Sequence, residues 1–203
     1  MTLNAIIELA KKLGTWIHEH TDGVEYVNDR RITTATGLAL FQQSQDIGDA
    51  IIILIESNLP GPALALARPL HETYVRGVWL LNCASDDELD KFLTGKCPKF
   101  PELLKAIGDY PETGGKWIHA ITDSNIKAFH DLTHGGVEHI LRRVSMNSIE
   151  PNYPEEELIR LVQIEIEIRI AIGANLLALS NDLEGLEMLE SMANYFRSLY
   201  QLS

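Results

Sequence analysis

Three charged residues, Arg68, Glu72 and Arg76, recur at every fourth position within the otherwise apolar run from Ala63 to Leu81. Helical spacing sets them in one stripe, beside Leu66, Leu70, Tyr74, Val78 and Trp79. A helix this apolar is expected to be buried, and buried charge is costly unless it is paired or put to use. The stripe therefore reads as an internal ion-pair ladder or as one wall of a polar pocket. In a pocket, Arg68 or Arg76 would stabilise developing negative charge, and Glu72 would orient a base. His71 lies off the stripe next to Arg68. It either joins the site as a ligand-binding residue or lies at the surface.

A second group follows later in the chain, where His130, Asp131 and His134 fall within five residues and precede Gly135 and Gly136. Histidine changes charge near neutral pH, so His134 is a candidate for proton transfer, with Asp131 one turn away to orient it. On a helix His130 and His134 share one face, which suits ligand binding by His130 and raises the question of a shared metal. Asp follows His130 where a zinc-protease motif needs Glu, and no third ligand stands at a known spacing. No metal set or cofactor is assigned on that basis, and a metal-dependent hydrolase ranks third among the functional readings. The structural alternative is a His–Asp bond fixing a helix C-terminus, where histidine also suits the dipole. Arg142 and Arg143, the only basic doublet near the histidines, read as a solvated pair.

Several function classes lack their signatures. No Gly-rich phosphate loop follows a strand, and there is no Gly-x-Ser-x-Gly elbow. The net charge of −12 over 203 residues opposes a broad grip on nucleic acid and leaves room only for a local basic cleft. The expected partner at such a cleft is RNA or a small anionic ligand. Cys83 and Cys97 are the only cysteines, too few for a disulfide framework. The N-terminus is amphipathic, and the greasiest run, Ala50 to Ile55, is too short to span a bilayer. A cytoplasmic protein with no membrane association is expected.

Helical periodicity runs through nearly the whole chain, and no hairpin signal interrupts it. The expected elements are a helix capped by Thr2 and ending near His20, a long one from Asp29 to Asn58, and a third from Pro62 to Ala84. Pro69 should kink the third helix beside Arg68 and free a backbone carbonyl there. Ser85 to Glu88 is a capping box opening a short helix. Further short helices are expected at 102–107, 117–121, 123–132 and 137–144, with a flexible segment at 111–115. Two long helices, 154–179 and 183–200, complete the chain. Residues 164–170 alternate like a strand, but the helical period on both flanks and the Glu165/Arg169 spacing favour helix. The fold class is thus all-α: residues 1–203 form a single-domain bundle of long antiparallel helices with short connecting helices. Apolar residues on the last helix, including Leu186, Leu189, Tyr195, Phe196 and Leu199, point to a homodimer or else close the monomer core.

The run Ala63 to Leu80, taken with Leu132-Thr133-His134-Gly135-Gly136, resembles a family of uncharacterised bacterial helical proteins, over about Arg30 to Asp182. That family's label carries no activity. More remotely, the pattern is similar to the HEPN superfamily (higher eukaryotes and prokaryotes nucleotide-binding). That resemblance implies a dimer and, in many members, a metal-independent RNase of toxin–antitoxin or phage-defence systems. The superfamily's signature places His four to six residues after Arg on one helix. Here Arg68 and His71 are only three apart, and no Arg precedes His134 suitably, so a second helix would have to supply Arg68 or Arg76. A binding or interaction module, linked by these resemblances to bacterial stress or phage defence, needs no missing motif and stands first. The RNase using His134 with an arginine stands second.

Overall fold

The computed structural model describes residues 1–22, 32–108 and 131–201. Among them nine helices occur: α1 (Leu3–Thr21), α2 (Ile32–Glu56), α3 (Pro60–Ala65), α4 (Ala67–Asn82), α5 (Asp86–Leu93), α6 (Phe100–Gly108), α7 (Val137–Leu141), α8 (Glu155–Leu179) and α9 (Leu183–Gln201). The only extended pairing among the described residues is an isolated bridge between Val144 and Ile149. The protein is therefore all-α. The expected starting turn of the second helix and the helical pieces at 117–121 and 123–130 lie outside the described residues.

Local chemistry sets the ends of these helices. The Thr2 hydroxyl accepts from the Ala5 N–H at the start of α1. Ser85 and Glu88 form the reciprocal capping box of α5. Pro154 precedes α8, whose first turn carries Glu155, Glu156 and Glu157 at the positive end of the helix dipole.

The most extensive packing joins α2 to α4. Their backbones close because both contact points are glycine: a Cβ at Gly37 would sit 3.1 Å from the Gly77 carbonyl, and one at Gly77 would meet Phe41 at 2.7 Å. Gly37 opposite Gly77, and Ser44 opposite Leu70, show that the two helices run antiparallel. So do α8 and α9, where Glu167 pairs with Arg197 and Gly173 faces Leu189. The helix α1 departs from the antiparallel expectation. Leu3 meets Glu155 and Gly14 meets Arg169, so α1 runs parallel to α8.

The core gathers Phe41, Tyr74, Trp79, Leu103, Ile166 and Leu177, with Trp79 and Tyr74 as its largest side chains. The last helix contributes to it: Leu189 and Phe196 are buried, whereas Tyr195 is exposed. Those two residues close the monomer core rather than offering an outer face. Trp117 lies outside the described residues. By length and composition α2 would be apolar enough to cross a membrane, a property the short run at 50–55 concealed, and a third of its most apolar stretch is buried inside the protein.

Candidate functional site

The charged stripe lies on α4, which is broken from α3 at Leu66. The break replaces the kink expected at Pro69. Proline lacks the N–H that would bond the Ala65 carbonyl, but in the first turn of a helix that donor is not required. Starting α4 at Ala67 places Pro69 in that tolerant turn. The Ala65 carbonyl accepts instead from the Thr133 hydroxyl, at 3.3 Å. One proline thus creates the docking point for a segment 68 residues downstream.

Along α4 the three charges form a ladder. The Glu72 carboxylate accepts from Arg68 Nε at 2.5 Å and from Arg76 Nη2 at 2.8 Å. The arginine side chains are each 32% exposed and Glu72 17% exposed, so the ladder lies half-buried at the surface rather than deep inside. Partial burial pushes the Glu72 carboxyl up, but the two guanidinium groups outweigh it and hold the group below the ordinary carboxylate range. His71 joins neither the stripe nor the surface. It is buried, edge-on to Phe100 at 5.5 Å, and desolvation lowers its pKa to about 4.

His134 comes to the ladder from the downstream segment. Arg68 Nη1 lies 3.2 Å from His134 Nε2. A guanidinium only donates, so this bond needs Nε2 as the acceptor of a neutral ring. Two devices place the imidazole. Thr133 is anchored on Ala65, and Gly135 takes φ +67°, the left-handed turn glycine adopts without strain.

Asp131 serves the same turn. Its carboxylate accepts from the Glu138 N–H at 2.6 Å, and a Cβ on Gly136 would collide with it at 2.0 Å. Asp131 therefore caps α7. His139, which its sequence position alone did not single out, ties the turn down from the far side. Its Nε2 donates to the Leu132 carbonyl at 2.6 Å, and its Nδ1 meets the Tyr153 hydroxyl at 3.0 Å. Arg142 is not solvated: it forms a two-pronged pair with Glu157 at 2.6 and 2.8 Å and also bonds Glu138. These bonds, Glu157 first, push its pKa further up. Arg143 lies over the Tyr153 ring at 5.9 Å.

The arrangement brings Arg68, Glu72, Arg76 and His134 together, while Asp131 is spent on the turn that follows, on the Glu138 N–H. His130 lies outside the described residues. Among the described residues no three His, Cys, Asp or Glu side chains group closely enough to hold a metal ion. Arg68 Nη2 and Arg76 Nη1 are not used by the bonds above. Two guanidinium groups held in register by one carboxylate, beside an imidazole nitrogen, form a surface suited to a phosphate or carboxylate.

Residues 41–201 match the model of a family described as Family of unknown function (DUF6988), and the chain belongs to that family. The matched span starts at Phe41 rather than Arg30 and continues beyond Asp182 through the last helix. No curated protein and no solved structure matches the chain.

Proposed function

We propose that this protein is a binding module for a phosphate-bearing ligand, held by Arg68 and Arg76 with His134 beside them. The observation that carries it is the Arg68–His134 contact, made between residues 66 positions apart. Glu72 keeps the two guanidinium groups from moving independently, so less side-chain freedom is lost when an anion docks. Strong negative charge over the whole chain disfavours long polyanions held along an extended face and favours a short or single-stranded segment gripped locally.

The same contact favours a second reading, metal-independent RNA cleavage. Arg68 on α4 supplies across two elements the Arg/His combination that the HEPN signature places on one helix. In that reading the ribose 2′-hydroxyl would displace Arg68 Nη1 from His134 Nε2 and give that nitrogen its proton as the 2′-oxygen bonds to phosphorus. The bond from phosphorus to the 5′-oxygen of the next nucleotide breaks, that oxygen takes a proton from solvent, and the displaced Arg68 guanidinium offsets charge growing on the phosphate.

Fluorescence anisotropy with a labelled single-stranded RNA, with chelator present, tests both. Wild-type protein should bind in a salt-sensitive way, compete with inorganic phosphate, and lose at least about tenfold in affinity on Arg68→Gln, as expected for a charged hydrogen bond. Intact RNA at the end of the titration assigns binding alone. Cleaved RNA, with His134→Ala binding but not cleaving, assigns the nuclease. Absence of any Arg68-dependent binding by folded protein overturns the site.

A further inference from the structure

The second charged group of the molecule lies away from α4, between α1, α2 and α8. Glu165 and Arg169, one turn apart on α8, are 1% and 6% exposed. Arg169 Nε donates to Glu165 Oε1, and Nη2 donates to Asp49 at 2.8 Å and also meets Glu165. The other carboxylate oxygen, Glu165 Oε2, is buried without a hydrogen-bond partner among the described residues. A buried ion pair contributes little net stability compared with an apolar pair of the same volume, so stability alone does not account for it.

Two glycines make room for the pair. A Cβ at Gly48 would meet Glu165 Oε1 at 2.7 Å, and one at Gly14 would meet Arg169 Nη1 at 2.6 Å. Nη1 is the nitrogen of this guanidinium that the pair itself does not use. Gly14 and Arg169 both line a cavity of about 500 Å³, whose other walls include Thr15, Gln42, Gln45 and Asp46. Through His18, Thr21, Gln42 and Gln45 this cavity continues into a second, of about 490 Å³, lined by Leu38, Phe41 and Leu176. The result is one cleft with a charged end and a more apolar end, whose one carboxylate, Asp22, lies 3.9 Å from His18.

The charged end carries both signs. Lys11 is tied to Glu8 and Glu56, and Asp49 to Arg169. Arg169 Nη1 and the exposed Asp46 make none of these bonds, and Asp49 spends only one of its two oxygens on Arg169, so the acidic wall of this end is Asp46 with Asp49 beside the guanidinium. A simple anion would face Asp46, and a simple cation would face Arg169. A ligand bearing both charges satisfies both walls.

We propose that this cleft binds a small zwitterion of the α-amino-acid type, its carboxylate on Arg169 Nη1, its ammonium on Asp46 and its apolar side chain toward Leu38 and Leu176. Calorimetric titration of the full chain tests this with L-leucine and L-phenylalanine. The controls are 4-methylpentanoic acid and 3-methylbutylamine, which lack the amine and the carboxylate of leucine in turn. Saturable binding of at least one amino acid is expected. Each single-charge analogue should bind at least about tenfold more weakly, and Asp46→Asn should lose affinity by a similar factor. Asp46 is exposed, so this variant should melt like the wild type. Gly14→Val, checked for folding by its thermal melt, should block the cleft. No saturable binding of either amino acid up to about 10 mM, analogues that bind as well as leucine, or an unchanged Asp46→Asn would overturn the proposal.

Discussion

At position 71 an imidazole is buried and held edge-on to Phe100, and burial lowers its pKa to about 4. In the unfolded chain the same group titrates near 6.5. Above that value both states are neutral there and the pair of pKa values costs nothing. Between the two values the unfolded state takes up the proton first, so stability falls as pH drops from about 6.5 to about 4. One proton over that window amounts to about 3 kcal/mol. Urea melts of wild type and His71→Leu across pH 4–7 should show the difference between them narrowing or reversing toward acid; a constant difference would mean His71 does not titrate this way. The spacing of Arg68, Glu72 and Arg76 made the ladder legible in the sequence, because four-residue contacts are local. Burial of His71 was not, since it depends on Phe100 arriving from another helix. The link from Arg68 to His134 was legible only as a conditional, because it joins segments 66 residues apart.

Among the elements, the junction of α3 and α4 shows how a helix breaker becomes a positioning device. Pro69 leaves the Ala65 carbonyl without its usual helical donor, and Thr133 fills the place. Pro69→Ala restores an N–H that competes for this carbonyl. It should leave the melting temperature unchanged or raised while weakening Arg68-dependent RNA binding by about fivefold, the worth of one neutral hydrogen bond. Thr133→Val, which keeps the side-chain shape, should behave alike. Unchanged affinity in both variants would show that the bond does not position His134. The sequence showed that Pro69 disturbs this helix and frees a carbonyl. It did not show that the helix would restart at Ala67, because either solution satisfies the proline and tertiary packing chooses. Helix ends with local caps, such as Thr2 and Ser85, were placed to within a residue or so.

Over the whole molecule, α8 is the central element, packed by α1, α9, α2 and α4. Its strand-like alternation arises because Ile164, Glu165, Ile166, Ile168, Arg169 and Ile170 are all buried, on nearly every side of the helix. The Glu165/Arg169 spacing read as a helical ion pair and said nothing of its depth; the approach of α1 and α2 through Gly14 and Gly48 makes it internal. Arg169→Met alone should cost about 3–5 kcal/mol by stranding Glu165, whereas Glu165→Leu with Arg169→Met should be neutral or stabilising. Chemical denaturation of both variants decides it; equal losses would mean the pair contributes to stability in its own right. Neither variant touches α4, so the surface ladder should bind as before. The most direct test of that ladder is the His134 ring itself, followed by ¹⁵N NMR as a short RNA or inorganic phosphate is added to wild type and to Arg68→Gln. A saturable shift of its Nε2 resonance in wild type, lost in Arg68→Gln, is the expected result. A resonance that does not move in the folded wild-type protein would contradict anion binding at Arg68 and His134.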